Sequence, residues 1–158
     1  MKLCIKQHLF TFGSQFSVYD ENGNEQYFIE SEILTFGRKL HIYRTSDNAE
    51  VAYIEQQLFT FTPCYSVYFG QSHAFDITKR FTLFFSEYDI DGLGLSVDGD
   101  FLGHDYSVYR NGEAVATIYK EWFTFGDCYC LDIADENYAI EVMCAAIVID
   151  CVAASRNN

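Results

Sequence analysis

A sixfold internal repeat governs what this chain can fold into. A large residue, a spacer and a β-branched or aliphatic residue recur as Phe16/Val18, Leu40/Ile42, Tyr65/Val67, Tyr88/Ile90, Tyr106/Val108 and Tyr129/Leu131. Their first members lie 24, 25, 23, 18 and 23 residues apart. Three instances share a Ser-Val-Tyr string, at Ser17-Val18-Tyr19, Ser66-Val67-Tyr68 and Ser107-Val108-Tyr109. A second marker stands ahead of most pairs: Leu9-Phe10-Thr11-Phe12-Gly13, Leu34-Thr35-Phe36-Gly37, Leu58-Phe59-Thr60-Phe61 and Trp122-Phe123-Thr124-Phe125-Gly126, with a degenerate copy at Phe81-Thr82-Leu83-Phe84. The interval from marker to pair is constant, as in Phe12 to Phe16, Phe36 to Leu40, Phe61 to Tyr65 and Phe125 to Tyr129. A recurrence of this kind means one supersecondary unit used repeatedly.

Each unit has the physics of a β-hairpin. Phe, Thr, Val, Tyr and Ile suit a pleated, half-buried surface. One spacer between two large residues is a period of two, so both side chains share a face. The glycine after Phe-Thr-Phe supplies a tight turn. Polar turns follow the pairs at Asp20-Glu21-Asn22-Gly23-Asn24, Thr45-Ser46-Asp47-Asn48, Gly70-Gln71-Ser72-His73 and Arg110-Asn111-Gly112, and Asn-Gly is a strong hairpin signal. The pattern predicts twelve strands. Long ones near 3–11, 25–35, 50–60, 73–84, 94–101 and 113–124 alternate with short ones near 16–20, 40–45, 65–69, 87–91, 105–110 and 128–133. The single proline, Pro63, falls in a predicted turn and interrupts no strand.

The last unit changes character. After Leu131-Asp132-Ile133 the sequence turns helical, with Asp135 placed as N-cap and Glu136 favoured in the first turn. Val142 to Ile149 runs more than two turns without a polar face, so the helix must be enclosed on all sides. Ala145, Ala146, Ala153 and Ala154 keep it thin. Twelve strands closed on themselves leave an interior wide enough to need filling. A core helix at about 136–154 is roughly 28 Å long, which suits the height of such a barrel. The expected fold is therefore mainly β: one domain over residues 1–158, a closed antiparallel barrel of six hairpin units around a hydrophobic C-terminal helix whose core residues include Val142, Ala145, Ala146, Ile149 and Asp150.

Charge and cysteine usage bound the function. Ten Lys and Arg against 23 Asp and Glu give a formal net charge of −13, which excludes the basic footprint that nucleic acid requires and disfavours attraction to anionic membranes. Glu141 and Asp150 interrupt the apolar segment, so no integral membrane span is expected. The first residues, Met1 to His8, lack an apolar leader pattern. A cytoplasmic protein with reduced thiols is expected. The six cysteines, Cys4, Cys64, Cys128, Cys130, Cys144 and Cys151, contain no C-x2-C pair, and zinc needs further ligands at suitable spacing. Cys128-x-Cys130 places two sulfurs on one strand face.

Catalytic signatures are absent: there is no G-x-S-x-G, H-E-x-x-H or P-loop string. His8, His41, His73 and His104 are scattered and read as strand or turn residues. Glu87, Asp89, Asp91, Asp98, Asp100 and Asp105 form the densest acidic stretch, but without EF-hand spacing they read as turns. Asp150, after an apolar run, is expected at the barrel mouth or paired with a backbone N–H or basic group. If it is poorly paired, Asp150→Leu is expected to be neutral or stabilising.

The strings Phe10-Thr11-Phe12-Gly13 with Phe16-Ser17-Val18-Tyr19, and Trp122-Phe123-Thr124-Phe125-Gly126-Asp127-Cys128-Tyr129, resemble the LURP-one-related family with its bacterial YxjI-like branch. Gly99-Asp100-Phe101 followed by Asp105-Tyr106 resembles the family's fifth unit, and Ile147-Val148-Ile149-Asp150 matches the end of its core helix. The resemblance implies the Tubby C-terminal-like fold, shared with phospholipid scramblases. With catalytic strings absent, the expected role is that of a non-enzymatic binding or scaffold protein without cofactor, its protein or lipid partner unknown; the alternative is a phospholipid- or phosphoinositide-associated membrane-tethering protein like the Tubby and scramblase relatives. Tubby domains resemble phosphoinositide binders with a basic pocket. The corresponding candidates for a lipid headgroup are Arg38, Lys39 and Arg44, with Lys79-Arg80 as a further basic pair.

Overall fold

The twelve residues of the six repeated pairs all point inward, each at most 3% exposed. They belong to one continuous hydrophobic core that also takes in the C-terminal helix. The computed structural model describes residues 1–6, 15–81, 86–123 and 126–155. The strands are β1 (Lys2–Lys6), β2 (Gln15–Asp20), β3 (Glu25–Ser31), β4 (Lys39–Arg44), β5 (Glu50–Gln56), β6 (Cys64–Phe69), β7 (Ser72–Phe81), β8 (Ser86–Asp91), β9 (Leu95–Asp100), β10 (Asp105–Arg110), β11 (Glu113–Phe123) and β12 (Gly126–Ile133). Each pairs antiparallel with its sequence neighbours, and β1 pairs with β12, closing the barrel. Closure removes the unpaired edges that an open twelve-stranded sheet would leave.

The hairpin turns follow their residues. Asn111 and Gly112 both take positive φ, 51° and 83°, between Arg110 and Glu113, the geometry that matches the right-handed strand twist. The register shifts at Val18/Tyr19, Ile42/Tyr43, Val67/Tyr68 and Val108/Tyr109, immediately after the second inward residue of four units. A bulge bends its strand and raises local twist, so the repeat carries its curvature at a fixed position. Gly99 faces Tyr106, and a Cβ there would lie 2.6 Å from the Tyr106 Cα.

A 3-10 turn with no buried residue, η1 (Glu136–Tyr138), leads into α1 (Ala139–Ser155), which fills the barrel. The Asp135 carboxylate accepts from the Asn137 N–H at 3.1 Å, as its N-cap position requires. Val142 to Cys151 is buried without interruption, Val142, Ala145, Ala146 and Ile149 completely. The stretch Glu136–Ser155 is long and apolar enough to cross a membrane by length and composition, yet 67% of its most apolar 18-residue window is buried in the protein. The fold expectation holds: a closed twelve-stranded antiparallel barrel encloses one C-terminal helix.

Two expectations are corrected. β3 and β5 stop at Ser31 and Gln56, short of the predicted 35 and 60, because Leu34 and Phe59 take φ of 60° and 63°. Left-handed residues cannot continue a strand. The second correction concerns the thiols: Cys4 and Cys130 form a disulfide rather than remaining reduced. They are direct cross-strand partners on β1 and β12, brought together by closure across 126 residues. Cys64, Cys128, Cys144 and Cys151 take no part in this disulfide.

Candidate functional site

Alternation of the loops defines two ends. The β3–β4, β5–β6 and β9–β10 loops share one end, the rim, while the β2–β3, β4–β5 and β6–β7 turns share the other. α1 starts after β12 and runs back toward the rim, where Asp150 meets His104 of the β9–β10 loop.

Beneath the rim lies a buried polar cluster. His104 Nε2 is 3.1 Å from Asp150 Oδ1, with the residues 4% and 8% exposed. The imidazole stacks on Tyr129, with centroids 4.6 Å apart. Among the described residues, His104 Nδ1 and the hydroxyls of Tyr106 and Tyr129 have no hydrogen-bond partner. Burial pushes both tyrosine hydroxyls well above their ordinary range, and the Asp150 charge pushes them further. Burial likewise raises the Cys151 thiol to about 12, although Arg38 donates to it. Such a thiol is no nucleophile at neutral pH. Tyr65 and Tyr88, the matching residues of β6 and β8, are buried in the same core. The cluster can hold a helix end in place; it does not assemble an activated nucleophile.

The rim itself is apolar and exposed. Leu34, Phe36, Phe59 and Phe61 have relative exposures of 97%, 91%, 104% and 109%. Leu34 and Phe59 occupy equivalent positions two residues ahead of Phe36 and Phe61, and share the same left-handed backbone. The two loops touch: a Cβ on Gly37 would lie 3.1 Å from Leu58 Cδ2. The markers at 9–13 and 82–84, and the Thr124-Phe125 part of the last one, lie outside the described residues, as does His8.

The basic residues named from sequence do not converge. Arg38 reaches Cys151 at the rim end. Lys39 pairs with Glu55 at 3.4 Å on the wall. Arg44 pairs with Asp47 at 2.8 Å and lines a shallow cleft at the opposite end, with Glu50, Phe69, Ile140 and Glu141. Lys79 is buried, its ammonium over the rings of Phe81 and Tyr88, while Arg80 pairs with Asp89. Each described histidine has an acidic partner: His41 lies between Glu32 and Glu50 at 2.9 and 3.0 Å, and His73 lies 2.9 Å from Asp76. Asp100 takes the turn role expected of the acidic stretch, accepting from the Leu102 and Gly103 N–H groups. Its neighbour His104 was legible only as a turn residue, because nothing local marks an inward-facing histidine.

A closed twelve-stranded antiparallel barrel threaded by an apolar helix, with its polar contacts gathered at the helix's end, defines the class. The LURP-one-related family profile matches residues 1–150, and the chain belongs to that family. It is 29% identical over 152 residues to the Bacillus subtilis (strain 168) protein YxjI, covering 96% of this chain and 93% of YxjI. The X-ray structure of an Arabidopsis thaliana protein, AT5G01750, superposes with a TM-score of 0.66 at 16% identity, over 95% of this chain and 90% of that one. This likeness carries the fold.

Proposed function

We propose that this protein is a non-enzymatic binding module that captures a protein partner on its rim. The observation that carries the reading is the exposure of Leu34, Phe36, Phe59 and Phe61 on two touching loops. Exposed apolar groups gathered in this way mark interaction surfaces, and aromatic side chains dominate binding hot spots. They take no part in the hydrophobic core. Photo-crosslinkers placed at Phe36 and Phe61 in cells are expected to trap one recurrent protein, and Phe36→Ser with Phe61→Ser to abolish the adduct formed from a crosslinker on neighbouring Ile33. Crosslinks that survive the double substitution would refute the rim reading.

A lipid surface is the second reading, favoured by the exposed Phe36, Phe59 and Phe61 with the partly exposed Arg38 and Lys39 next to Phe36 in the chain. Interfacial aromatics and basic groups are the ordinary means of peripheral anchoring. Flotation with vesicles containing anionic lipid at low salt distinguishes the two: co-flotation lost on Phe36→Ser and Phe61→Ser favours lipid, and no flotation removes it. A cytoplasmic setting, proposed from the sequence, would make Cys4–Cys130 a reversible bond, since permanent disulfides are rare there.

A further inference from the structure

The outer wall at the barrel seam holds a second group of chemically competent side chains. On that face β1 presents Lys2, Cys4 and Lys6, and β12 presents Asp132, Cys130 and Cys128 opposite them. β11 adds Tyr119 and Glu121 in register with Cys130 and Cys128. Cys4, Cys128 and Cys130 are buried in a small cluster of their own, against Tyr119. One ligand atom each from Cys4, Cys130 and Glu121 lies within 4.8 Å of the others. The Lys2 ammonium stands 2.7 Å from Glu121 Oε2 and over the Tyr119 ring.

We propose that reduction of the Cys4–Cys130 disulfide opens a zinc-class metal site made by the Cys4 and Cys130 thiolates and the Glu121 carboxylate, so that disulfide and divalent ion are alternative occupants of the barrel seam. The donors suit zinc, which takes thiolate and carboxylate ligands in tetrahedral geometry at about 2.3 and 2.0–2.2 Å. The strand pairing holds both cysteines in place whether or not the bond exists, because five register pairs join β1 to β12. Charge also balances. Two thiolates and one carboxylate carry three negative charges, and the ion with Lys2 supplies three positive ones. In the oxidised form Glu121 and Lys2 neutralise each other. Three protein ligands leave the fourth position to solvent.

The chemistry is conservative. A dithiol reductant delivers two electrons and two protons to the Cys4–Cys130 bond and leaves as its own disulfide. The metal then displaces the two thiol protons to solvent. Reoxidation by a disulfide-class oxidant removes two electrons from the thiolate pair, reforms the sulfur–sulfur bond and releases the ion, while the oxidant takes two protons from solvent and leaves as two thiols.

The test uses the full chain, reduced with a phosphine under anaerobic conditions and titrated with Co²⁺. One equivalent is expected to produce a thiolate-to-cobalt charge-transfer band that Zn²⁺ abolishes. The oxidised chain is expected to give no band. Cys4→Ser and Cys130→Ser are expected to lose it, Glu121→Gln to weaken binding tenfold or more, and Cys64→Ser and Cys128→Ser to keep it. A band in the oxidised chain, or one that follows Cys64 or Cys128 instead of Cys4 and Cys130, overturns the proposal. A measurement on the unsubstituted chain covers the case in which a serine variant does not fold. Zn²⁺ is expected to slow alkylation of Cys4 and Cys130 in the reduced protein at least tenfold, and unchanged alkylation rates overturn the proposal equally.

Discussion

His104 and Asp150 meet 46 positions apart in sequence, Nε2 to Oδ1 at 3.1 Å, where the core helix approaches the rim of the barrel. A carboxylate near the C-terminal end of a helix opposes the macrodipole, and α1 has no basic residue in its last turn. The loop between β9 and β10 supplies what the helix lacks. His104 does so from a left-handed conformation, φ 52°, which histidine adopts more readily than most residues.

The condition for a neutral Asp150→Leu is therefore not met. Removing the carboxylate strands a buried imidazole, and the expected loss is ~2 kcal/mol, the desolvation scale of an orphaned buried polar group. His104→Asn keeps a residue tolerant of left-handed φ and removes the imidazole. Urea denaturation of both single variants and the double is expected to show coupling of about 1 kcal/mol or more. Additive losses would mean that the two side chains do not stabilise one another.

His41 makes stability pH-dependent on the outer wall. Burial lowers its basicity, but hydrogen bonds that the ring donates to the Glu32 and Glu50 carboxylates more than offset this, and the net shift is upward from 6.5. A raised value in the fold means stabilisation that is complete below the unfolded value and lost as pH rises through the folded one. The expected decline above about pH 6.5 amounts to a few tenths of a kcal/mol, the scale of half-exposed ion pairs. Urea midpoints measured across that range are expected to fall in the unsubstituted chain and to flatten in His41→Gln.

How much of this was legible beforehand depends on the reach of each signal. Phe16/Val18 and its five counterparts could be read as inward pairs because strand alternation is local, and the Asn111-Gly112 turn because positive φ selects its residues. The helix announced itself through Val142 to Ile149, which has no polar face. Contacts made by closure left no trace in the order of residues. Cys4 finds Cys130, and His104 finds Asp150, only because the first strand pairs with the last and the helix returns to the rim. The bulges after Val18, Ile42, Val67 and Val108 were equally silent, since an extra residue in one strand changes register without changing the apolar pattern.

Leu34 and Phe59 carry two penalties at once, exposure of a large apolar side chain and a left-handed backbone. The conformation costs about 1–2 kcal/mol for a residue with a Cβ, and glycine escapes it at a smaller entropic loss. Phe59→Gly is therefore expected to raise stability by roughly 0.5–1 kcal/mol while weakening partner capture. Strain retained at a functional surface is a known pattern. Calorimetry of Leu34→Gly and Phe59→Gly beside the crosslinking assay checks both halves, and a destabilised glycine variant would show that the loop conformation serves the fold.

Ala146 is completely buried within the barrel, where the helix must stay thin. Ala146→Leu adds three carbons to a packed interior, and overpacking typically costs ~1–3 kcal/mol. An urea midpoint unchanged from the parent would mean that the barrel has room its packing does not suggest. Circular dichroism is expected to keep the native strand signal, because β-ladder pairing does not depend on this side chain.

The Cys4–Cys130 bond joins the first strand to the last across 126 residues. A crosslink closing so long a loop restricts the unfolded chain by about 4–5 kcal/mol in the chain-entropy model, although measured gains are often smaller. Reduction is therefore expected to lower the melting temperature of the unsubstituted chain and to leave the Cys4→Ser variant, already without the bond, unmoved. The reduced barrel should nevertheless stay folded, because the β1–β12 ladder and the enclosed helix persist without the sulfur link. Scanning calorimetry with and without reductant measures the difference directly. An equal fall in both proteins would assign the effect to something other than the seam.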